Sequence, residues 1–405
     1  MVNIVRVMLY TIITLGALFS ATLAAVMSVA TLILSDRAHR LPHGTTPISV
    51  LKPVKGLDDE LEANLESFCL QTHERYELIV GAADSDDPAL DVARRVKRRF
   101  PHVAFRIVAG ECATGFNPKV RNLRNLLSKA RYSSILVSDG DIRVDSDYLS
   151  VMAGAIEHPN VGLVSNLVVG TGEQTIGAAC ENLQLNGFVA NTVAAAQLVA
   201  RHPVVVGKSM LFRREVLTQI GGFRTAADVL AEDYLLGRAV LKAGYRVSTL
   251  GYPVWAINRS WTVSKMVQRH IRWSQIRRHV SPGMFLLEPL AIPELWLMLL
   301  IVAWWLFPSR FDAAHAAVVL TTVALSVVLQ TLASIFMQRS MPQWTTLVLL
   351  PLSTLLAFYT WLRAWTLDIV VWRHQSYRIG AGSRLSLANK QRPAPTRRAR
   401  MPEAA

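Results

Sequence analysis

Cysteine is scarce in this sequence, which has only three among its 405 residues: Cys69, Cys112 and Cys180. An odd number of cysteines without C-x-x-C spacing predicts neither a disulfide framework nor a zinc site, and it fits a reducing cytoplasm. Glycine-rich nucleotide loops are missing as well. No G-x-G-x-x-G follows the first predicted strand and no G-x-x-x-x-G-K-[ST] occurs, which counts against a dinucleotide oxidoreductase and a P-loop ATPase.

Acidic residues are fewer than basic ones, 29 against 43, and the formal net charge is +14. No zinc-finger, RNA-binding or helix-turn-helix pattern accompanies this charge, so we predict no nucleic-acid partner. Arg37 and Arg40 instead follow the first apolar segment, and a basic cluster follows the last. That cluster consists of Arg373, Arg378, Arg384, Lys390, Arg392, Arg397, Arg398 and Arg400. This distribution predicts that both regions face the cytoplasm, near anionic lipid.

Long apolar runs occur only towards the two ends of the chain, although 51% of all residues are hydrophobic and the mean hydropathy is +0.29. Val7–Leu34 carries no charge and is long enough to cross about 30 Å of hydrocarbon, so we predict a membrane anchor rather than a secretory signal. Further apolar runs are Ile292–Phe307, Ala313–Met337 and Trp344–Leu362. We therefore expect an integral, multi-pass membrane protein, in the inner membrane if the source is bacterial.

The chain divides into four predicted parts. They are an N-terminal anchor (1–36), a globular cytoplasmic domain (37–283), C-terminal membrane segments (284–372) and a basic tail expected to be disordered (373–405). Three full spans after the domain would place the tail outside, against the positive-inside tendency. Either the region Met284–Phe307 includes a re-entrant or interfacial piece, or Leu362–Trp372 does not cross the membrane.

The globular domain alternates strand-like and helix-like pieces. The stretches "PISVLKP", "YELIVGAAD", "VAFRIVAG" and "SSILVSD" are typical of buried strands, and helical patterns separate them, as where Leu61, Leu65 and Phe68 share one face. This alternation predicts a doubly wound α/β domain with a mostly parallel sheet. In such sheets ligands bind beyond the carboxyl ends of the strands.

Two acidic motifs follow predicted strands. They are "DSDDP", which contains Asp87, and "SDGDIRV", which contains Asp139 and Asp141. An Asp-x-Asp pair offers the hard oxygen ligands that Mg²⁺ or Mn²⁺ prefers, with substrate phosphates and waters completing the coordination shell. The same residues also suit a solvated turn, so the pair alone leaves both interpretations open.

Two later motifs carry further charged candidates. Glu232 and Asp233 precede a helical run and suit either a catalytic carboxylate or the capping of a helix N-terminus. The motif "RHIRW", residues 269–273, lies in a basic, aromatic-bearing helical segment. Such a segment is also typical of an amphipathic helix at a membrane surface.

Together and in this order, these residues resemble the D, D, D, (Q/R)-x-x-R-W pattern of inverting, family 2-like glycosyltransferases with the GT-A fold. The stretches "SVLKPVKGLDDELEANLESF", "NPKVRNL", "GKSMLFRREVL", "AEDY" and "LEPL" make residues 47–290 similar to ceramide glucosyltransferases. The hopanoid-associated N-acetylglucosaminyltransferases are similar but more distant. The resemblance implies that residues 37–283 form a Rossmann-like GT-A catalytic domain between N-terminal and C-terminal transmembrane helices.

The resemblance also implies a role for each aspartate. Asp87 matches the first aspartate, on the nucleotide side, and Asp139 matches the second. Asp233 matches the third, which is the general base. Asp141 completes a metal-binding pair with Asp139, although ceramide glucosyltransferases often carry a non-acid at this position.

The basic candidates follow from the same resemblance. Arg269, Arg272 and Trp273 match the (Q/R)-x-x-R-W element and are expected to be catalytic. The motifs that flank the UDP-sugar site in this family contain Lys52, Pro53 and Lys119.

The implied reaction transfers glucose from UDP-glucose to ceramide or a related membrane lipid, in a single displacement that gives a β-glucosyl lipid. The departing diphosphate needs a metal ion, Mg²⁺ or Mn²⁺, and fixed cations, and the acceptor hydroxyl needs a carboxylate base. The expected partners are therefore a UDP-sugar, a ceramide-like lipid and the bilayer, and no oligomeric state is predicted. The alternatives are a hopanoid or other lipid N-acetylglucosaminyltransferase, a processive polysaccharide synthase, and an inactive scaffold that binds lipid or nucleotide.

Overall fold

The computed structural model describes residues 2–38, 40–307, 313–341, 344–372 and 375–388. An eight-stranded sheet forms the centre of the domain between the apolar ends of the chain. Its strands are β1 (Ile48–Pro53), β2 (Tyr76–Ala82), β3 (Phe105–Ala109), β4 (Ser134–Ser138), β5 (Ile142–Arg143), β6 (Val161–Thr171), β7 (Ser209–Arg213) and β8 (Arg246–Ile257). They lie in the order β3-β2-β1-β4-β7-β6-β8-β5.

Parallel pairing predominates on one side of this sheet. β1 lies parallel to β2 and β4, and β2 lies parallel to β3. β7 then pairs antiparallel with both β4 and β6, while β6 and β8 are again parallel, and β5 pairs antiparallel with β8. The predicted α/β class with a mostly parallel sheet is confirmed.

Helices cover both faces of the sheet. They are α2 (Leu61–Cys69), α3 (Pro88–Arg99), α4 (Pro118–Leu127), α5 (Tyr148–Ile156), α6 (Ile176–Gln184), α7 (Ala190–Leu198), α8 (Arg214–Gln219), α9 (Glu232–Lys242) and α10 (Val263–Val280). Residues of α2, α3 and α5 form one core cluster with the sheet, and residues of α4, α8 and α9 form another. Burial on both faces explains why the central strands are almost continuously apolar.

Apolar helices flank the domain at both ends. The long ones are α1 (Val2–Ala38) and α13 (Ala313–Gln338), and both are long and apolar enough to cross a membrane. The spans expected from Val7–Leu34 and Ala313–Met337 fall within them. The segment between domain and α13 is a bent pair, in which Pro282–Ala291, containing α11 (Pro282–Leu287), meets α12 (Pro293–Leu306) at 62°.

The run Trp344–Leu362 does not form one long helix. It is divided into α14 (Trp344–Val348) and α15 (Leu350–Thr366), and neither is among the described helices long and apolar enough to cross a membrane. α15 packs instead against α6 and α10 of the α/β domain. Leu362–Trp372 does not continue as a helix beyond Thr366, because Ile369–Trp372 forms strand β9.

Part of the basic tail is ordered, so the expected disorder of residues 373–405 is wrong for residues 375–388. They contribute β10 (Gln375–Ile379) and β11 (Leu385–Leu387), which pair antiparallel with β9 in a three-stranded sheet. This sheet buries Tyr377, Ile379 and Leu385 against Leu230 of the α/β domain. The rest of the tail, residues 373–374 and 389–405, lies outside the described residues.

Candidate active site

The carboxyl end of β4 carries the Asp-x-Asp pair in the middle of the sheet. β4 is buried along its whole length and ends at Ser138, so Asp139 and Asp141 emerge at this edge. The Asp139 N–H donates to the Lys208 carbonyl at 3.4 Å, and the Lys52 ammonium donates to the Asp139 carbonyl at 2.9 Å. Hydrogen bonds to Lys208 and Lys52 therefore hold the loop that begins at Asp139. This loop lies at the edge of the sheet where α/β proteins bind their ligands.

Lys119 links Asp139 to the first turn of α9. Its Nζ lies 2.7 Å from Asp139 Oδ1 and 3.1 Å from Glu232 Oε1, and it donates to the Gly207 carbonyl at 3.0 Å. Burial alone would lower the pKa of Lys119, but the two carboxylates outweigh it and hold this pKa above its ordinary value. Asn117 caps α4 through the Val120 N–H, which fixes the helix start that presents Lys119.

Asp233 lies in the first turn of α9, beside this ion network. Its Oδ2 accepts the Gly207 N–H and its Oδ1 accepts the Tyr234 N–H, both at 2.8 Å. Burial, together with the charge of Glu232, raises the pKa of Asp233 to about 6. The N-cap of α9 is Ala231, so the helix does not use Asp233 as its cap. A carboxylate with this pKa is suited to accept a proton near neutral pH.

Gly207 is required for this close approach. A Cβ at this position would lie 3.0 Å from Asp233 Oδ2 and 3.3 Å from Lys119 Nζ, closer than most side chains tolerate. Glycine therefore lets the backbone reach both the carboxylate and the ammonium group at once.

Asp141 pairs with the ammonium group of Lys208. Burial would raise the pKa of Asp141, but the positive charges of Lys208 and Arg269 hold it below its ordinary value. The other oxygen, Asp141 Oδ1, is buried and has no hydrogen-bond partner in the part of the chain that the structure describes. Asp58 adds a further carboxylate here, since burial and the charge of Asp141 raise the pKa of Asp58 to about 6.

The oxygen atoms at this edge fit a divalent cation that also binds phosphate. The buried, unpartnered Asp141 Oδ1 is a hard ligand of the kind that Mg²⁺ and Mn²⁺ prefer. Within the described ranges, no group of three or more His, Cys, Asp or Glu side chains could hold a metal by itself. One or two carboxylates are enough when substrate phosphates supply the remaining ligands. Such an ion would compete with Lys119 and Lys208 for Asp139 and Asp141.

The "RHIRW" motif lies on α10, whose N-terminus is capped by Thr262. Arg269 Nη1 lies 3.4 Å from Glu181 Oε1, and His270 Nε2 lies 2.8 Å from Glu181 Oε2. Glu181 is fully buried; although burial would raise its pKa, Arg269 and His270 hold that pKa below its ordinary value. The Arg269 guanidinium also lies 4.4 Å from the centroid of the Trp273 ring, a cation–π contact.

Arg272 is a half-buried cation within electrostatic range of Glu232. Burial, together with the like charge of Arg269, lowers the pKa of Arg272 to about 10, and the carboxylates of Glu232 and Glu181 oppose this shift. Among the side chains that the structure describes, none forms a hydrogen bond or ion pair with Arg272. Its guanidinium is therefore available to an anionic ligand.

The remaining candidates lie around this network rather than within it. Lys52 is fully buried under the Asp139 loop, where its Nζ also donates to the Ile142 carbonyl at 3.2 Å. Pro53 is the last residue of β1. Asp87 caps α3 through the Ala89 N–H and accepts the Gly56 N–H at 2.9 Å. A donor-binding role for these three residues stays a prediction.

The C-terminal three-stranded sheet supports the loop that precedes Glu232. Ser383, fully buried, accepts the Leu230 N–H on its carbonyl at 2.9 Å and the Ala231 N–H on its hydroxyl at 3.2 Å. The Leu385 N–H donates to the Asp228 carbonyl at 2.8 Å. Ser383 and Leu385, which come after the apolar C-terminal helices in the chain, thus hold the loop that leads into α9.

We expect Ser383→Ala to leave the buried Ala231 N–H without an acceptor, at a cost of about 1–3 kcal/mol in stability. Because this N–H is adjacent to Glu232, turnover should fall more than affinity for the nucleotide ligand. Thermal unfolding, turnover and ligand binding on one purified sample measure these effects. Ser386→Ala, in the exposed part of β11, is the matched control; equal effects in both variants would refute a positioning role for Ser383.

Several residues of this site were missed by reasoning from the sequence. Lys208 and Gly207 stand in "GKSMLFRREVL" and Asp58 in "KGLDDE", both of which carry the family resemblance, but no pattern of spacing links them to Asp139. Glu232 was predicted, together with Asp233, as either a catalytic carboxylate or a helix cap, but its contact with Lys119 is visible only in the structure. Glu181 gives a weaker signal, an acid in a mostly apolar helix, and only tertiary contacts show that it pairs with Arg269 and His270.

An α/β sheet with lysine-paired carboxylates at its carboxyl edge, packed against apolar helices, defines a membrane-associated α/β enzyme. The sequence matches the model of glycosyl transferase family 21 over residues 11–385. The chain belongs to this family.

Curated relatives carry matching names. The chain is 30% identical to ceramide glucosyltransferase 3 of Caenorhabditis elegans over 244 residues, which are 60% of this chain and 53% of that protein. It is 29% identical to ceramide glucosyltransferase 1 of the same organism over 282 residues, 68% of this chain and 60% of that protein. The chain thus matches about half to three fifths of the length of these relatives.

One similar solved structure is the mannosyltransferase PcManGT from Pyrobaculum calidifontis, in complex with GDP-Man and Mn²⁺. The match covers 86% of this chain and 94% of that one, at 20% sequence identity and a TM-score of 0.43. A likeness of this size bears on neither the chemistry nor the substrate of the present chain.

Proposed function

We propose that this protein transfers glucose from UDP-glucose to ceramide or a closely related membrane lipid, with inversion at the anomeric carbon. The observation that carries the proposal is that Asp233, whose two oxygens are held by the Gly207 and Tyr234 N–H groups, follows Glu232, a residue whose charge also acts on Arg272, a cation that has no partner among the described side chains. The ceramide glucosyltransferase relatives support the choice of sugar and lipid.

Asp233 acts as the general base. The acceptor hydroxyl is a weak nucleophile at neutral pH, and a carboxylate within hydrogen-bond reach takes its proton during the attack. Gly207 and Tyr234 hold the two oxygens of Asp233 through backbone N–H groups, so the carboxylate keeps one orientation. A single displacement on an α-linked donor gives a β-glucoside and needs no covalent nucleophile.

Arg272 stabilises the departing diphosphate, and Arg269 and Trp273 hold α10 in place beside it. A fixed cation in a partly dehydrated site stabilises developing negative charge more than it would in water. Asp139 and Asp141 would hold Mg²⁺ or Mn²⁺ here, and such an ion supplies Lewis-acid stabilisation of the phosphates when it is bound. Lys119 and Lys208 neutralise these two carboxylates at the same edge.

The catalytic domain lies on the cytoplasmic side of three membrane crossings, formed by α1, by α13 and by the bent pair that ends in α12, taken as one span. Tyr10 near the start of α1 packs against His315 at the start of α13, with ring centroids 6.1 Å apart. At the other end of α13, Arg339 pairs with Asp145 of the α/β domain at 2.9 Å. α13 runs back towards the domain, so the segment before it, which ends in α12, must run away from the domain. Strands β9–β11 follow α13 in the chain and therefore lie on the same side of the membrane as the catalytic domain. Basic residues next to α1 favour the cytoplasm for that side.

The test is transfer of labelled sugar by membranes that contain the protein. UDP-glucose and UDP-N-acetylglucosamine are each supplied with ceramide, in Mg²⁺, in Mn²⁺ and in EDTA, and the lipid product is identified by mass spectrometry. We expect β-glucosylceramide from UDP-glucose and a large loss of product in EDTA. Transfer from UDP-N-acetylglucosamine alone, or to another lipid class alone, would contradict the proposal.

A further inference from the structure

A mainly apolar cavity with several polar side chains in its wall lies among the apolar helices, beside the α/β domain. It has a volume of about 100 Å³ and is enclosed by parts of α1, α6, α7, α12, α13 and α15. Carboxamides, hydroxyls and two carboxylates contribute to its lining, among them Glu173, Gln184, Glu294, Gln330, Thr331 and Thr354. Such groups are costly at membrane depth and are generally found there where they have a function.

Three of these polar side chains, Gln330, Thr331 and Thr354, have no hydrogen-bond partner among the described residues. Thr354 is 4% exposed, and neither its hydroxyl nor the carboxamide of Gln330 has a hydrogen bond within the described ranges. Two hydroxyls on α13 bond to their own helix instead: Thr322 donates to the Val318 carbonyl and Ser326 donates to the Thr322 carbonyl. Because unpaired polar groups in apolar surroundings are unfavourable, Gln330 and Thr354 are suited to a polar ligand.

The cavity is connected to the catalytic edge by two routes. A smaller neighbouring cavity shares Gln184 and Phe188 with it and reaches His270 and Trp273 of the "RHIRW" motif. Along the second route, Asn182 in the cavity wall accepts a hydrogen bond from Asn258 at 2.8 Å. The preceding Ile257 N–H donates to the Asp141 carbonyl at 3.0 Å. The cavity is thus linked to Asp141 through Asn258 and Ile257, and the neighbouring cavity is linked to Arg269 through Trp273.

The chemistry of the lining indicates the class of ligand. A carboxamide and a hydroxyl can each donate and accept, which matches a head group that carries both an amide and hydroxyls. Ala24 and Met27 of α1 and Leu347 supply apolar surface on the same cavity, suited to the adjoining hydrocarbon chains. A diacylglycerol has no amide N–H to offer to these acceptors.

We infer that this cavity binds the amide-and-hydroxyl head of the lipid acceptor, with Gln330 and Thr354 as specificity-determining contacts. This inference rests on the proposed lipid glycosylation, and it distinguishes amide-bearing acceptors from glycerolipids of equal chain length.

The test measures lipid binding without any sugar nucleotide, so that it does not depend on transfer. The full-length protein in detergent is cross-linked to a photoreactive ceramide and, separately, to a photoreactive diacylglycerol with the same acyl chain. We expect wild-type protein to prefer the ceramide, with cross-links at residues 182–191, 327–338 or 346–357. Thr354→Val and Gln330→Leu should each reduce this preference about tenfold, since each removes one hydrogen bond in a buried site.

Thr322→Val is the matched control, because it makes the same chemical change on α13 where the hydroxyl already bonds to its own helix. It should keep the wild-type preference. Equal binding of both lipids by wild-type protein, cross-links elsewhere, or unchanged preference in Thr354→Val and Gln330→Leu would each overturn the inference. Failure of the proposed function shows separately, as ceramide that is bound with the expected preference but never glucosylated.

Discussion

Asp233→Asn is expected to lower the turnover of lipid glucosylation by about 10²- to 10⁴-fold, the usual contribution of a positioned general base. The amide keeps the shape of the side chain and can still accept the Gly207 N–H, but it cannot take a proton from the acceptor. Affinity for the UDP-sugar should stay nearly unchanged, because the diphosphate contacts lie elsewhere. Turnover at saturating substrates and donor affinity, measured on one purified sample, separate these effects.

Asp228→Asn is the matched control for this change. Asp228 is an exposed acid in the loop before α9, where its carboxylate accepts the Phe116 N–H at 3.0 Å. Its replacement should leave turnover within a small factor of the wild-type value. If Asp233→Asn also retained near-wild-type turnover, the base would lie elsewhere, and Glu232, 3.1 Å from Lys119 Nζ, would be the next candidate.

The pH profile offers a second readout of the same assignment. Burial and the charge of Glu232 raise the pKa of Asp233 to about 6, while Lys119 and the backbone N–H groups oppose this shift. A base acts only when ionised, so turnover should be retained above about pH 6 and fall as the pH drops through that value. This acid limb should vanish from the residual activity of Asp233→Asn. A limb that persists would point to Asp58, whose pKa is also about 6.

Much of the sheet could be predicted because its strands obey a local rule. β4 is buried from Ser134 to Ser138, and a strand covered on both faces must be apolar throughout, so its pattern is visible without knowledge of its neighbours. The position of Asp139 and Asp141 follows as well, since acids directly after a parallel strand lie at the ligand-binding edge. Their lysine partners could not be predicted in this way, because Lys119 and Lys208 lie in other segments of the chain and meet the aspartates only in the folded structure.

The C-terminal sheet escaped prediction for a related reason. β10 is a short strand in a basic segment, and its exposed residues suggest a solvated tail. Its two buried side chains, Tyr377 and Ile379, find their partners in Leu230 and Phe116, far away along the chain. Composition therefore indicated disorder where long-range packing gives order.

Arg272→Ala is expected to reduce transfer by about 10²- to 10³-fold, the range seen when one electrostatic stabiliser of a transition state is removed. Arg272 is half-buried and lacks a partner among the described side chains, so its charge is directed at a ligand. Arg272→Lys keeps a positive charge but loses the planar fork that binds two phosphate oxygens, and it should recover only part of the rate. Turnover and donor affinity, measured for both variants, test whether the rate falls from wild type through Arg272→Lys to Arg272→Ala.

Stability should separate Arg272 from its neighbour Arg269. Removing Arg272 leaves no protein acceptor unpaired, and burial already lowers the pKa of this guanidinium to about 10, so Arg272→Ala should unfold at or slightly above the wild-type temperature. Arg269→Ala instead leaves the fully buried Glu181 with His270 as its one remaining partner among the described ion pairs, and removing one member of a buried ion pair costs about 3–5 kcal/mol. An Arg272→Ala protein that is inactive but as unstable as Arg269→Ala would mean that Arg272 supports the fold. An inactive protein of wild-type stability would place its charge in the chemistry of the diphosphate.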